Sequence, residues 1–170
     1  MKDTIILCTL ENLKKIEKMG VSNFGTFNAF KLMIGTIAQE SHFKYKKQLG
    51  DGPAIDIIKN YIYYRKPLRA ILNEISDVNE RSTYIEVEQE LFDNFTFACF
   101  IARLVYYRAD FKKLGFNSLN EIDQVNEMAV VWKAIYNTVH GKGKEIEFIE
   151  NFERFNLDLY DIKYYNDITK

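Results

Sequence analysis

The chain has 170 residues, 47% of them hydrophobic and 28% charged, which is enough for one domain with a sizeable core and too apolar for a disordered chain. Its 23 basic and 24 acidic side chains give a net charge of −1, against the basic excess that a general nucleic-acid binder carries. No apolar run is long enough to span a membrane, the start Met1-Lys-Asp-Thr-Ile-Ile-Leu-Cys8 has too short an apolar block for a secretory signal, and two cysteines with two histidines fall short of a zinc site.

Residues 9–19 read as a short amphipathic helix, with Leu10, Leu13 and Ile16 on one face, Thr9 as its cap and Gly20 as its stop. A second helix is predicted over 26–42, where Phe27, Phe30, Ile34 and Ile37 recur at helical spacing and Glu40 follows three residues on. Residues 48–54 read as a Gly/Pro turn, and 54–64 and 67–75 as a pair of helices divided by Pro67. The polar, acidic stretch 76–90 reads as a loop or an exposed helix. Asp93 is placed as the cap of a helix over 94–109, which is apolar nearly all round and therefore central. A linker over 112–117 leads to a helix over 119–138, another follows over 144–155, and the tail beyond is rich in Tyr and Asp. Strand signals are nearly absent, so the prediction is one all-α domain over residues 1–170. Cys8 and Cys99, both inside apolar runs, read as small buried hydrophobes. The 13 Phe, 11 Tyr and one Trp supply either a bulky helical core or a stacking surface for sugars or bases.

Two clusters carry groups able to do chemistry. Glu40, followed by Ser41, closes the apolar run Phe30-Lys-Leu-Met-Ile-Gly-Thr-Ile-Ala-Gln-Glu-Ser41. A carboxyl group at the mouth of such a helix is poorly solvated, keeps its proton to higher pH and is suited to general acid catalysis. The plainer reading is a solvated glutamate at a helix end, beside Lys44, Lys46 and Lys47. Those lysines read as a solvated turn or as a contact for an anionic polymer. In the second cluster Trp132 and Tyr136 stand four apart on one helix face, with Asn137 and Thr138 at the helix end. They border a cleft or form a buried pair. Gly141-Lys-Gly-Lys144 lacks the spacing of a phosphate-binding loop, and His140 has no second ligand beside it.

At these two clusters the chain resembles a known superfamily. Ile34-Gly-Thr-Ile-Ala-Gln-Glu-Ser41 resembles the catalytic Glu-Ser helix of soluble lytic transglycosylases and goose-type lysozymes, and Trp132-Lys-Ala-Ile-Tyr-Asn137 resembles their later Tyr-Asn motif. The likeness is greater to small phage-encoded members, through Gln48-Leu-Gly-Asp-Gly-Pro-Ala54, Ala102-Arg-Leu-Val-Tyr106 and the Gly-Lys-Gly at 141–143, in the same order over roughly residues 20–155. The resemblance implies a single lysozyme-like helical domain that cleaves the MurNAc–GlcNAc linkage of peptidoglycan without a metal or cofactor. Glu40 would be the catalytic acid, Ser41 would support it, Tyr136 would border the scissile bond with Asn137 beside it, and Asp51 is the nearest candidate for a second acid. The chain departs from the family where Gly-Pro-Ala should lead into a Gly-aliphatic-aromatic-Gln motif lining the cleft. Here Pro53-Ala54 runs directly into Ile-Asp-Ile-Ile-Lys, a segment of about ten residues short, a size common for a functional loop. The alternative implied is a catalytically weakened relative serving as a structural or binding component of the virion. A third is a helical phage protein acting on host factors. The expected partners are the glycan strand and other virion proteins, with no nucleic acid recognised specifically. The expected location is the virion or the host cytoplasm.

Overall fold

In the computed structural model, residues 1–43, 51–138 and 141–170 are described, with the backbone alone at 51 and 52. Helix α1, Lys2–Lys18, buries Ile5, Ile6, Leu10, Leu13 and Ile16 along one stripe. It begins seven residues before the predicted start, because Ile5 and Ile6 extend that stripe upstream. Thr9 is accordingly not a cap: it is buried inside the helix and its hydroxyl donates to the Ile5 carbonyl at 2.7 Å. Gly20, at φ +110°, turns the chain after the helix.

Helix α2, Phe27–Ser41, starts as predicted, with Thr26 accepting a hydrogen bond from the Ala29 amide at 3.3 Å. Every residue from Ala29 to Ala38 is buried, so this helix runs through the core rather than over it. Its one buried cation, Lys31, donates to the Leu157 carbonyl at 2.6 Å and lies 4.8 Å from the centre of the Phe152 ring. Burial still pushes the Lys31 ammonium below its ordinary pKa.

Helix α3, Asp51–Ile57, continues into a π-helical turn, Ile58–Ile62. Gly52, Pro53 and Ala54 are therefore its first turn, where a proline's missing N–H costs nothing, and not the predicted loop; residues 48–50 lie outside the described residues. Helix α4, Lys66–Ile75, carries Pro67 in its own first turn. The acidic stretch contains helix α5, Tyr84–Asp93, opened by a reciprocal Thr83–Glu86 capping box and held by Val87 and Leu91. Helix α6, Phe95–Tyr107, is central as predicted, but its cap is Asn94, which accepts from the Phe97 amide at 3.0 Å. Asp93 belongs to the end of α5 and accepts from Gln89 instead.

Short 3₁₀ turns at Phe111–Leu114 and Leu119–Glu121 lead to α7, Val125–Val131, which opens into a second π-helical turn, Trp132–Asn137. Helix α8 is Glu145–Arg154. The tail forms a 3₁₀ turn, Leu157–Leu159, and a capped helix α9, Ile162–Thr169, which the Tyr- and Asp-rich composition does not announce. The described residues contain no strand, and the fold is all-α. None of the helices described is long and apolar enough to cross a membrane.

One continuous core extends from Ile5 to Tyr160. Both chain ends are tied to it, since Lys2 donates to the Phe155 carbonyl at 3.0 Å and the Tyr160 hydroxyl donates to Asp3. Buried Arg103 secures the segment before α2 by donating to the Phe24 and Asn23 carbonyls at 2.9 and 3.1 Å. Desolvation lowers its pKa to about 10, which leaves it charged at neutral pH. Cys8 and Cys99 are free thiols; Cys99 is buried, with its pKa pushed up to about 12, while Cys8 is only partly buried.

The tightest helix contact is α2 against α8. A Cβ added at Gly35 would lie 2.5 Å from Cζ of Phe148 and 3.1 and 3.2 Å from Cε1 and Cε2. That ring is fully buried and leans on Trp132 and Phe152, with centroid separations of 5.6 and 6.3 Å, so it has nowhere to go. Gly35→Ala should therefore destabilise the protein by about 1–3 kcal/mol through overpacking, outweighing the roughly 0.5–1 kcal/mol that alanine gains in a helix interior. Urea unfolding checks this, and a net stabilisation would show that Phe148 yields.

Candidate functional site

Glu40 is in the last turn of α2, one residue before the helix ends. Its partner comes from the far end of the chain: the indole Nε1–H of Trp132 donates to Glu40 Oε1 at 3.0 Å. Trp132 is itself fully buried, wedged against Phe148, so its N–H is a fixed donor rather than a mobile one. Of the two readings of Trp132, core residue or sugar platform, the burial supports the core.

Glu40 reaches the surface, yet its carboxyl group is substantially desolvated. Burial raises its pKa above the ordinary glutamate value, and the Trp132 hydrogen bond, which favours the ionised form, only partly offsets this. Oε2 has no hydrogen-bond partner among the described residues, which leaves it as the oxygen for a transferable proton.

Two tyrosines complete the surroundings. Tyr136, in the π-helical turn, stacks on Tyr106 of α6 with centroids 5.6 Å apart and planes inclined by 21°. Tyr106 is fully buried and shares a 2.7 Å hydrogen bond with Thr36, one turn before Glu40 on α2. Both phenols are held well above the ordinary tyrosine pKa, first by burial and then in part by the nearby Glu40 charge. Neither ionises at neutral pH, so both act as neutral hydroxyls. The structure thus places Tyr136 near Glu40, sets Trp132 of the same cluster against the carboxyl group, and adds Tyr106 and Thr36.

The other anticipated residues fall elsewhere. The Ser41 hydroxyl is buried and donates to the Ile37 carbonyl at 3.0 Å, tied to its own helix rather than to Glu40. Asn137 accepts from the Lys133 ammonium at 2.8 Å and packs against Gly141 and Gly143, so it braces the segment after the π-helical turn. Gly143 also lies against the Trp132 ring, where any side chain would collide with it. Lys44, Lys46, Lys47 and His140, and the side chain of Asp51, lie outside the described residues. Among the described residues no cluster of His, Cys, Asp and Glu assembles three metal ligands.

The backbone is strained on both sides of the pair. His42 and Phe43, directly after α2, have φ of 49° and 56°. Thr138, directly after the π-helical turn, has φ 65° and ψ 171°, a region essentially reserved for glycine. Such conformations cost of order 1–3 kcal/mol each and persist only where the surroundings fix them. Here they end both segments that carry the Glu40–Trp132 contact.

The chain matches no protein-family model, no curated protein and no solved structure. The site therefore stands on its own geometry.

Two measurements probe that geometry. Because the folded state holds the Glu40 proton more tightly than the unfolded chain does, the stability it contributes is fully present below the unfolded-state pKa of about 4.3 and is lost as pH rises through the higher folded value. Glu40→Gln keeps an acceptor for Trp132 and no charge, so it should be more stable than wild type at pH 7, with the difference closing in acid; thermal melts across that pH range decide it. Trp132→Phe keeps an aromatic ring, though a smaller one, and removes the N–H. Its Glu40 carboxyl resonance should titrate at higher pH than in wild type, whereas an unchanged titration would mean that the indole does not hold the carboxylate.

Proposed function

We propose that the chain is a peptidoglycan-cleaving protein of the lytic transglycosylase type, acting on the MurNAc–GlcNAc linkage with Glu40 as its acid. The observation that carries this reading is one desolvated carboxyl group, raised in pKa and oriented by an immobile indole N–H. A group so placed keeps its proton where an ordinary glutamate has lost it, as a general acid requires.

Glu40 Oε2–H protonates the glycosidic oxygen as the bond to the muramoyl C1 breaks. The resulting carboxylate then takes the proton from the muramoyl C6 hydroxyl, whose oxygen closes on C1 to give the 1,6-anhydro ring. One carboxyl group serves both steps and ends protonated, as it began, so no second acid is needed, unlike in hydrolysis by a carboxylate pair. Tyr136, as a neutral hydroxyl beside Glu40, suits a position next to the scissile bond. The resemblance to phage-encoded members makes a virion or lysis role the natural setting.

A second reading, a weakened relative retained as a structural or binding component of the virion, is favoured by one specific feature. Helix α3 begins with the Gly-Pro-Ala residues themselves and passes without interruption into Ile55–Ile58, which leaves no room after them for the motif that lines the family's cleft.

Digestion of purified peptidoglycan, followed by separation of the products, distinguishes the two. Anhydro-muropeptides should be released by wild type, and at least about 10²-fold more slowly by Glu40→Gln of equal helicity. Reducing-end products would indicate hydrolysis instead. No cleavage of walls from several bacteria by the folded protein would move the assignment to the binding role.

A further inference from the structure

Residues 59–69, Lys-Asn-Tyr-Ile-Tyr-Tyr-Arg-Lys-Pro-Leu-Arg, run from the π-helical turn after α3 into the first turn of α4 and concentrate what the net charge of −1 conceals. Lys59, Arg65, Lys66 and Arg69 lie here, and no acidic residue occurs between Asp56 and Glu74. Both flanking acids are engaged elsewhere. Asp56 accepts from Asn60 at 2.8 Å and pairs with Arg108 at 3.1 Å. Glu74 lines a different groove, with Lys14, Lys15 and Lys18. None of the four cations forms an ion pair among the described residues.

The arginines lie over tyrosine rings instead. The Arg65 guanidinium lies 3.8 Å from the Tyr61 ring centre and is fixed by a 2.9 Å bond to the Tyr61 carbonyl. Arg69 lies 5.8 Å from the Tyr63 ring centre and donates to the Tyr63 carbonyl at 3.0 Å. Tyr63 meets Tyr64 edge-on, at 85°, and the two are 38% and 74% exposed. Beside them Tyr61, Tyr64, Arg65, Lys66 and Tyr107 line a groove of about 510 Å³. Helix α4 starts at this groove without a side-chain cap, adding the positive end of its dipole.

We infer that this surface binds single-stranded nucleic acid without regard to sequence. Four cations close in sequence, with no ion pair among the described residues, fit a partner carrying regularly spaced negative charge. Exposed tyrosines meeting edge-on, with arginines beside them, fit unpaired bases, whose π-faces a duplex hides. A plain phosphate polymer would use the cations and leave the tyrosines without purpose. The site is independent of Glu40 and of the reading given to it.

The test is fluorescence anisotropy with a labelled oligo-dT strand of about 12 nucleotides. The matching duplex and inorganic polyphosphate serve as comparators. Four phosphate contacts predict a log–log salt slope of about −3, or roughly 50-fold weaker binding between about 50 and 200 mM salt. Tyr64→Ala, at an exposed position and checked by its melting curve, should weaken strand binding at least about fivefold and leave polyphosphate binding unchanged. Arg65→Ala with Arg69→Ala should flatten the salt slope by about 1.4. No binding at low salt, duplex binding as tight as the strand, or binding indifferent to Tyr64 would each overturn the proposal; the last would reassign the patch as a charge-only polyanion contact.

Discussion

The geometry of this protein depends on the close approach of a buried aromatic ring to a position with no side chain. Phe148 of α8 occupies the space a Cβ at Gly35 would need, which draws α8 onto the middle of α2. The same ring bears on Trp132, and Gly143 closes on the indole from another side. Trp132 has no alternative place, so its N–H meets the end of α2 where Glu40 emerges. The helix contact and the chemistry are thus one packing arrangement: what fixes the core also aims the donor.

That arrangement explains how a residue at the surface acquires an interior residue's acidity. A freely solvated glutamate would keep an ordinary pKa, whereas the Glu40 carboxyl group lies against the Trp132 indole and near the Tyr106 and Tyr136 phenols. The indole supplies a hydrogen bond without supplying charge. Neighbouring cations would favour the ionised form, and a second carboxylate would couple to its titration. The strained Thr138 and the π-helical turn before it show that the partner segment is bent into place rather than laid there by helix regularity.

Much of this was legible in the chain and some of it was not, for identifiable reasons. Helix α2 was readable because Thr26 caps it and Phe30, Ile34 and Ile37 keep one period. Asn94 and Asp93 are both good caps by composition, and the choice between them depends on where α5 ends, which no local signal marks. Thr9 resembled a cap because its hydroxyl can satisfy an amide before a helix or a carbonyl within one, and upstream Ile5 and Ile6 decided for the second. Helix α9 was obscured because its tyrosines are only partly buried and pack on Phe30 of α2, a tertiary contact that a periodic pattern does not report. At the site, Glu40 and Tyr136 stood out by residue type and place. The Glu40–Trp132 bond did not, since it links positions 92 apart, while Ser41, adjacent to Glu40 in sequence, turned to its own backbone.

That separation of 92 residues has a consequence for the protein's birth. As the chain leaves the ribosome, Glu40 appears early, on a helix whose covering partners have not been made. At that stage its carboxyl group is in water and behaves as any other glutamate. Trp132 emerges much later, and Phe148 later still. The carboxyl group therefore acquires its raised pKa only once the segments that cover it have been made and packed. A nascent product that stops short of Trp132 would carry Glu40 without the N–H that orients it.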